Sequence, residues 1–311
     1  MKLSIVATLY RSERYIEEFL RRVSQAAENI IGKSFEIILV NDGSPDGSLP
    51  LACGMLSKYP YLTVVDLARN FGHHQAMMAG LKESRGELVF LIDSDLEEEP
   101  EWLPDFHNVM GKEDCDVVFG VQESRRGGII ERVTGGMFYR LFRLLTGINQ
   151  PNNIVTARLM SRRYVDALLL HSERELNIGG LWIATGFKQV ARTIKKLDHS
   201  PTTYTVPYKI SHLVNAVTSF SSLPLVFTFY AGAFISVTAV FYIAYLVVRY
   251  LFISAPPDGY TSLLASIWLF SGFIIFFLGV QGIYLAKVFT EVKQRPLTIT
   301  RQVFRSEKAM V

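Results

Sequence analysis

Cysteine is scarce in this chain, with only Cys53 and Cys115 present. Two thiols in no metal-binding spacing build neither a disulfide framework nor a zinc site, so reduced structural thiols are expected. Clustered bases are missing too. A formal net charge of +3 without a basic block marks no nucleic-acid surface. The turn after the first apolar run reads Tyr10-Arg-Ser-Glu13, with no G-x-G-x-x-G near it, which excludes a dinucleotide fold. No Ser/His/Asp or Cys/His arrangement suggests a covalent nucleophile.

Charge vanishes altogether from two stretches, 213–248 and 261–286. Each exceeds the roughly 20 apolar residues that cross a bilayer core. Two transmembrane helices are therefore expected, at about 224–249 and 261–286. The link between them holds one acid, Asp258, whereas Lys287, Lys293, Arg295, Arg301, Arg305 and Lys308 follow the second. By the positive-inside rule, the tail and the large amino-terminal part are expected on the cytoplasmic side of a multi-pass inner-membrane protein. Arg11, Glu13 and Arg14 interrupt the apolar start before any small-residue cleavage site, so no signal peptide is expected.

Ahead of residue 213 the pattern is an alternation. Runs at Leu3–Leu9, Phe35–Val40, Leu62–Leu67, Glu87–Ile92 and Val117–Val121 read as strands, and Glu13–Asn29, Gln75–Ser84 and Pro100–Met110 as helices. Asn41-Asp-Gly-Ser44 signals a turn with a helix start behind it. Such alternation predicts a mostly parallel sheet covered on both faces, with ligands beyond the carboxyl ends of its strands. The loops 8–13, 41–46, 68–74 and 93–99 all fall on that edge. In one of them, Asp93 and Asp95 end an apolar run two residues apart, a spacing that turns both carboxylates to one side. They suit a hard cation, Mg²⁺ or Mn²⁺. The competing explanation is that these acids and Glu97–Glu99 cap the helix near Pro100; Glu98 and Glu99 are read that way, as cap and solvent face.

Several motifs occur in a telling order: Val40-Asn-Asp-Gly-Ser-Pro-Asp46, Leu67-Ala-Arg-Asn-Phe-Gly-His73, Ile92-Asp-Ser-Asp-Leu96, Asp116-Val-Val-Phe-Gly120, Phe138-Tyr-Arg-Leu141, Arg158-Leu-Met-Ser-Arg162 and Ser219-Phe-Ser-Ser-Leu-Pro224. Over almost its whole length the chain thereby resembles family 2 glycosyltransferases of GT-A fold. More narrowly it is similar to polyprenyl-phosphate glycosyltransferases, the group of dolichol-phosphate mannose synthase and bactoprenol glucosyltransferase. The resemblance implies an α/β, Rossmann-like GT-A catalytic domain over 1–212, a juxtamembrane segment and transmembrane hairpin over 213–290, and a basic cytoplasmic tail over 291–311. It also implies inverting transfer of one sugar from a UDP- or GDP-linked donor to a polyprenyl phosphate, undecaprenyl by closeness to the bactoprenol enzymes. Cell-envelope glycan or O-antigen modification would be the purpose, and a tetrameric homo-oligomer the assembly. The alternatives are a processive polysaccharide synthase, disfavoured by only two membrane helices and no Q-x-x-R-W motif, and a non-catalytic GT-A-like binding subunit.

Residue by residue, the resemblance assigns Thr8, Tyr10, Asp42, Arg69 and Asp93 to the donor. Asp93 and Asp95 take the catalytic D-x-D role and, with Glu97, hold the metal. Arg125, Arg140 and Arg158 are candidates for the acceptor phosphate, which the planar guanidinium fork suits. Phe138, Leu141, Phe142 and Leu145 share one face of an expected interfacial helix near 136–145. A phosphate acceptor is mostly dianionic at neutral pH and needs no strong base. His73 and His74 are accordingly read as structural hydrogen-bonders, while the job of Glu173-Arg174 stays open. The chain departs from the family at Thr8-Leu-Tyr-Arg-Ser12, Gln122, Thr156 and Trp182.

Overall fold

The computed structural model describes residues 1–122, 153–171, 173, 178–195, 214, 217–218, 221–253 and 259–306. Arg125, Arg140, Arg174 and the expected interfacial helix at 136–145 lie outside the described residues. The chain divides into two units, one of Met1–Arg143, Ile148–Thr205 and Arg295–Val311, the other of Leu144–Gly147 and Val206–Gln294.

The first unit is built on one sheet of eight described strands: β1 (Leu3–Leu9), β2 (Phe35–Asn41), β3 (Leu62–Leu67), β4 (Leu88–Leu91), β5 (Val117–Gln122), β6 (Ile154–Ser161), β7 (Gln189–Ile194) and β8 (Thr300–Arg305). Their order is β7-β5-β6-β4-β1-β2-β3-β8. The pairs β1–β2, β1–β4, β2–β3 and β5–β7 are parallel; β4–β6, β5–β6 and β3–β8 are antiparallel. Helices α1 (Ile16–Ile31), α2 (Ser48–Gly54), α3 (His73–Glu83), α4 (Trp102–Glu113), α5 (Arg162–Leu169) and α6 (Ile178–Ala184) connect or flank them.

Every residue of β1 and β2 is buried. That is why these segments read as unbroken apolar runs: a central parallel strand is covered on both faces. Side-chain parity shows how. Ile5, Ala7 and Leu9 join Phe19, Leu20 and Val23 of α1 and Leu103 and Phe106 of α4 in one core. On the other face α3 packs so closely that a Cβ on Gly80 would meet Val6 Cγ1 at 2.5 Å and Val40 Cγ2 at 2.9 Å. Phe90 of β4 meets Phe106 edge to face at 6.2 Å, both fully buried, each contributing about 2–3 kcal/mol by burial.

The strand order has one consequence for the site. The chain lays β2 and β3 on one side of β1, then crosses to place β4 on the other, with Val6 opposite Leu91. The point where the order reverses opens a crevice between the carboxyl ends of β1 and β4. Three strands were not expected from the sequence. β6 runs antiparallel between β4 and β5, β7 closes one edge, and the basic segment expected as a tail supplies β8 at the other. Arg301 and Arg305 place charge on Thr300–Arg305, as suits an edge strand, with Val303 and Phe304 half-buried.

The second unit contains α7 (Leu223–Ile253) and α8 (Tyr260–Val292). Windows at Leu223–Tyr242 and Ser266–Val292 are long and apolar enough to cross a membrane, and among the described residues none in either window is buried. At about 1.5 Å per residue, both helices outreach a bilayer core of roughly 30 Å. Within this unit the Tyr284 hydroxyl donates to Ser221 O at 2.6 Å.

Candidate active site

The crevice brings together residues from four loops. β4 ends at Leu91, so Asp93 and Asp95 stand on a turn rather than in the strand. Ser94 is buried between them, its hydroxyl donating to Thr8 O at 2.7 Å, while both aspartates are only partly covered. Leu96 follows with φ of 61°, a left-handed conformation that costs a non-glycine residue about 1–2 kcal/mol. Asp95 Oδ1 braces this turn by accepting the Glu97 amide at 3.0 Å. Glu97 itself is half-buried in the same loop.

Glu98 departs from the expectation of a solvated cap, being fully buried. Its Oε2 accepts the Asp93 amide at 3.3 Å and its Oε1 the Thr156 amide at 2.9 Å, tying the D-x-D loop to β6. Nothing in a run of three glutamates distinguishes the middle one; only the approach of β6 does.

Asp42 is also buried, and both its oxygens are engaged, accepting the amides of Phe71 at 2.7 Å and Gly72 at 3.0 Å. Burial raises its pKa above the usual carboxylate value, partly opposed by these two amides. The residue assigned to the donor thus also fixes the loop between β3 and α3. Gly43 beside it is required twice over: φ is 58°, and a Cβ would fall 2.5 Å from Asn70 N.

His73 opens α3 and was read from the sequence as a structural hydrogen-bonder. Its Nδ1 lies 3.0 Å from Thr8 Oγ1 and its Nε2 3.3 Å from Asp93 Oδ1. Burial alone would lower its pKa; the adjacent Asp93 and the charges of Asp42 and Asp95 outweigh that and raise it. The signal available in the sequence was a helix start on the ligand-binding edge.

Tyr10 and Arg69 are exposed on the same edge, Arg69 stacked on the Phe71 ring at 4.1 Å. Arg158 is not exposed at all. Its guanidinium lies over the Trp182 ring, with Nε donating to Thr156 O at 3.2 Å, and burial pulls its pKa down to about 9. It lines a cavity of about 260 Å³ with Phe119, Ile154, Trp182, Phe187 and Gln189. Among the described residues, no group of three or more His, Cys, Asp or Glu side chains could hold a metal ion.

Over residues 4–169 the sequence matches the family described as Glycosyl transferase family 2. The chain belongs to that family. Its fold is accordingly the mixed α/β GT-A type with a mostly parallel central sheet. Among relatives, a protein of Mycobacterium tuberculosis (strain CDC 1551 / Oshkosh) named "Putative glycosyltransferases" is 46% identical, over 99% of this chain and 90% of that protein. "Uncharacterized glycosyltransferase YkcC" of Bacillus subtilis (strain 168) is 31% identical, over 99% and 95%. "Bactoprenol glucosyl transferase" of Shigella phage SfII is 29% identical, over 98% and 99%. Among solved structures, Staphylococcus aureus TarS 1–349 in complex with UDP-GlcNAc is similar at TM-score 0.47 and 20% identity, covering 70% of this chain and 66% of that one. For this family 2 glycosyltransferase, the crevice between β1 and β4 is the candidate active site.

Proposed function

We propose that this glycosyltransferase moves a single sugar, with inversion, from a UDP- or GDP-linked donor to a polyprenyl phosphate, undecaprenyl by preference, at the cytoplasmic face of the inner membrane. The observation that carries the reading is the union in one chain of a D-x-D crevice with two exposed helices of membrane-crossing length. Full-length similarity to a bactoprenol glucosyl transferase supports a lipid-phosphate acceptor.

Thr8, Tyr10, Asp42, Arg69 and Asp93 would receive the donor, with Asp42 acting in part through the loop it anchors. Asp93 and Asp95 suit Mg²⁺ or Mn²⁺, with Glu97 close behind them. A hard cation held by carboxylates of this kind completes its shell with phosphate oxygens and water. Such a cation, when bound, neutralises charge on the departing diphosphate. The acceptor is its own nucleophile and needs positioning by cations, a role for Arg125 and Arg140. Arg158 could serve it only through the cavity it lines. The hairpin of α7 and α8 would hold the crevice at the membrane, in a multi-pass protein whose catalytic unit and β8 share one side.

The deciding experiment incubates purified full-length protein with Mn²⁺, polyprenyl phosphate and labelled UDP- or GDP-sugars. Label appearing in a lipid-extractable, acid-labile product supports the reading. Hydrolysis without a lipid product, or a water-soluble polymer, overturns it.

A further inference from the structure

The His73 side chain touches two of the residues assigned to the donor, Thr8 and Asp93. Resting on the proposed function, we infer that His73 is a positioning residue that sets the orientation of the Asp93 carboxylate toward the divalent cation. The ring spans the crevice from Thr8 Oγ1 at 3.0 Å to Asp93 Oδ1 at 3.3 Å. Both ends are anchored. Thr8 is 8% exposed and its carbonyl accepts from Ser94, while the Asp93 amide is held by Glu98. The ring's own backbone follows Gly72, whose amide is held by Asp42.

The Asp93 amide is held by Glu98, and its carboxylate, carried on two side-chain torsions, is oriented by the groups it meets, His73 Nε2 among them. Nε2 faces the Asp93 carboxylate as a donor and Nδ1 meets the Thr8 hydroxyl, which can donate or accept, so each partner finds a complementary atom whichever charge the ring carries. The outer partner of a metal-binding carboxylate fixes which oxygen is presented, and losing such a partner weakens metal affinity about 10- to 100-fold.

The test titrates Mn²⁺ against the full-length protein in detergent, with whichever of UDP and GDP the wild type binds more tightly. The readout is the Mn²⁺ concentration giving half-maximal nucleotide binding, which needs no turnover. His73→Ala should raise it about 10-fold. A glutamine amide reaches the Nε2 position and an asparagine amide the Nδ1 position. His73→Gln should therefore return the value to within about threefold of wild type, and His73→Asn should behave as alanine. Thr8→Val, approached from the other end, should raise it about threefold and decides the matter if His73→Ala does not fold. An unchanged Mn²⁺ dependence in His73→Ala, or equal rescue by asparagine, overturns the inference. Asp93→Asn separates the two failures. If Asp93→Asn loses the Mn²⁺ response and His73→Ala keeps it, only the role of His73 falls; if Asp93→Asn also keeps it, the metal reading falls and takes this inference with it.

Discussion

Arg301 and Asp66, separated by 235 positions, are joined by a 3.1 Å ion pair that attaches β8 to the sheet. Asp66 is nearly fully buried and also accepts Asn41 Nδ2 at 2.8 Å, while Arg301 Nη2 donates to Ala68 O at 2.7 Å. Arg301→Ala leaves that carboxylate short of a partner and should cost about 1–3 kcal/mol. Adding Asp66→Asn should cost less than the two single effects summed, as chemical denaturation of the four proteins will measure.

Gly43→Ala places a methyl against Asn70 and forces a side chain onto φ of 58°. Strain and overpacking together should cost about 2–4 kcal/mol. Thermal unfolding tests this; a melting temperature equal to wild type would show that the two loops can separate freely.

Asp95→Asn removes charge from the crevice without touching the buried strand before it. Under the proposed function it should lower transfer by at least about 100-fold, as loss of 2.7 kcal/mol or more of transition-state stabilisation does. EDTA should abolish wild-type activity and excess Mg²⁺ or Mn²⁺ restore it. Full turnover in metal-free buffer would remove the cation from the reading.

Asp46 supplies a pH dependence of stability. Burial would raise its pKa, but the Ser44 and Ser48 hydroxyls and the amides of Glu13 and Ser48 win and hold it at about 2. An unfolded aspartate titrates near 3.9, so the native state binds fewer protons between the two values. The contribution is complete above about pH 5 and fades as pH falls through about 2. Screening at this partly exposed site limits it to about 1 kcal/mol. Asp46→Asn should flatten that part of the acid limb in denaturation curves taken from pH 5 to 2.

Two membrane crossings return a chain to its starting side, and β8 pairs with β3 of the sheet. In a background lacking Cys53 and Cys115, Gly259→Cys should react with an impermeant thiol reagent added to intact cells, and exposed Arg295→Cys only after lysis. The reverse pattern would rule out the proposed orientation.

Period and composition in the sequence are enough to place β1 to β5, the four ligand-edge loops, the D-x-D carboxylates and both long apolar helices. These are local properties: a strand buried on both faces must be apolar throughout, and a bilayer-crossing helix must lack charge along its length. β6, β7 and β8 are not legible, because what makes each a strand is pairing with a segment from a distant part of the chain. Which loops meet was equally hidden. Tertiary structure alone sets β4 beside β1, bringing Asp93 within reach of Thr8 through His73, buries Glu98 beneath β6, and closes Arg158 over Trp182. The physical reason is that a polar residue's role depends on the partner that satisfies its hydrogen bonds once water is excluded, and that partner is chosen by strand order rather than by neighbours in sequence.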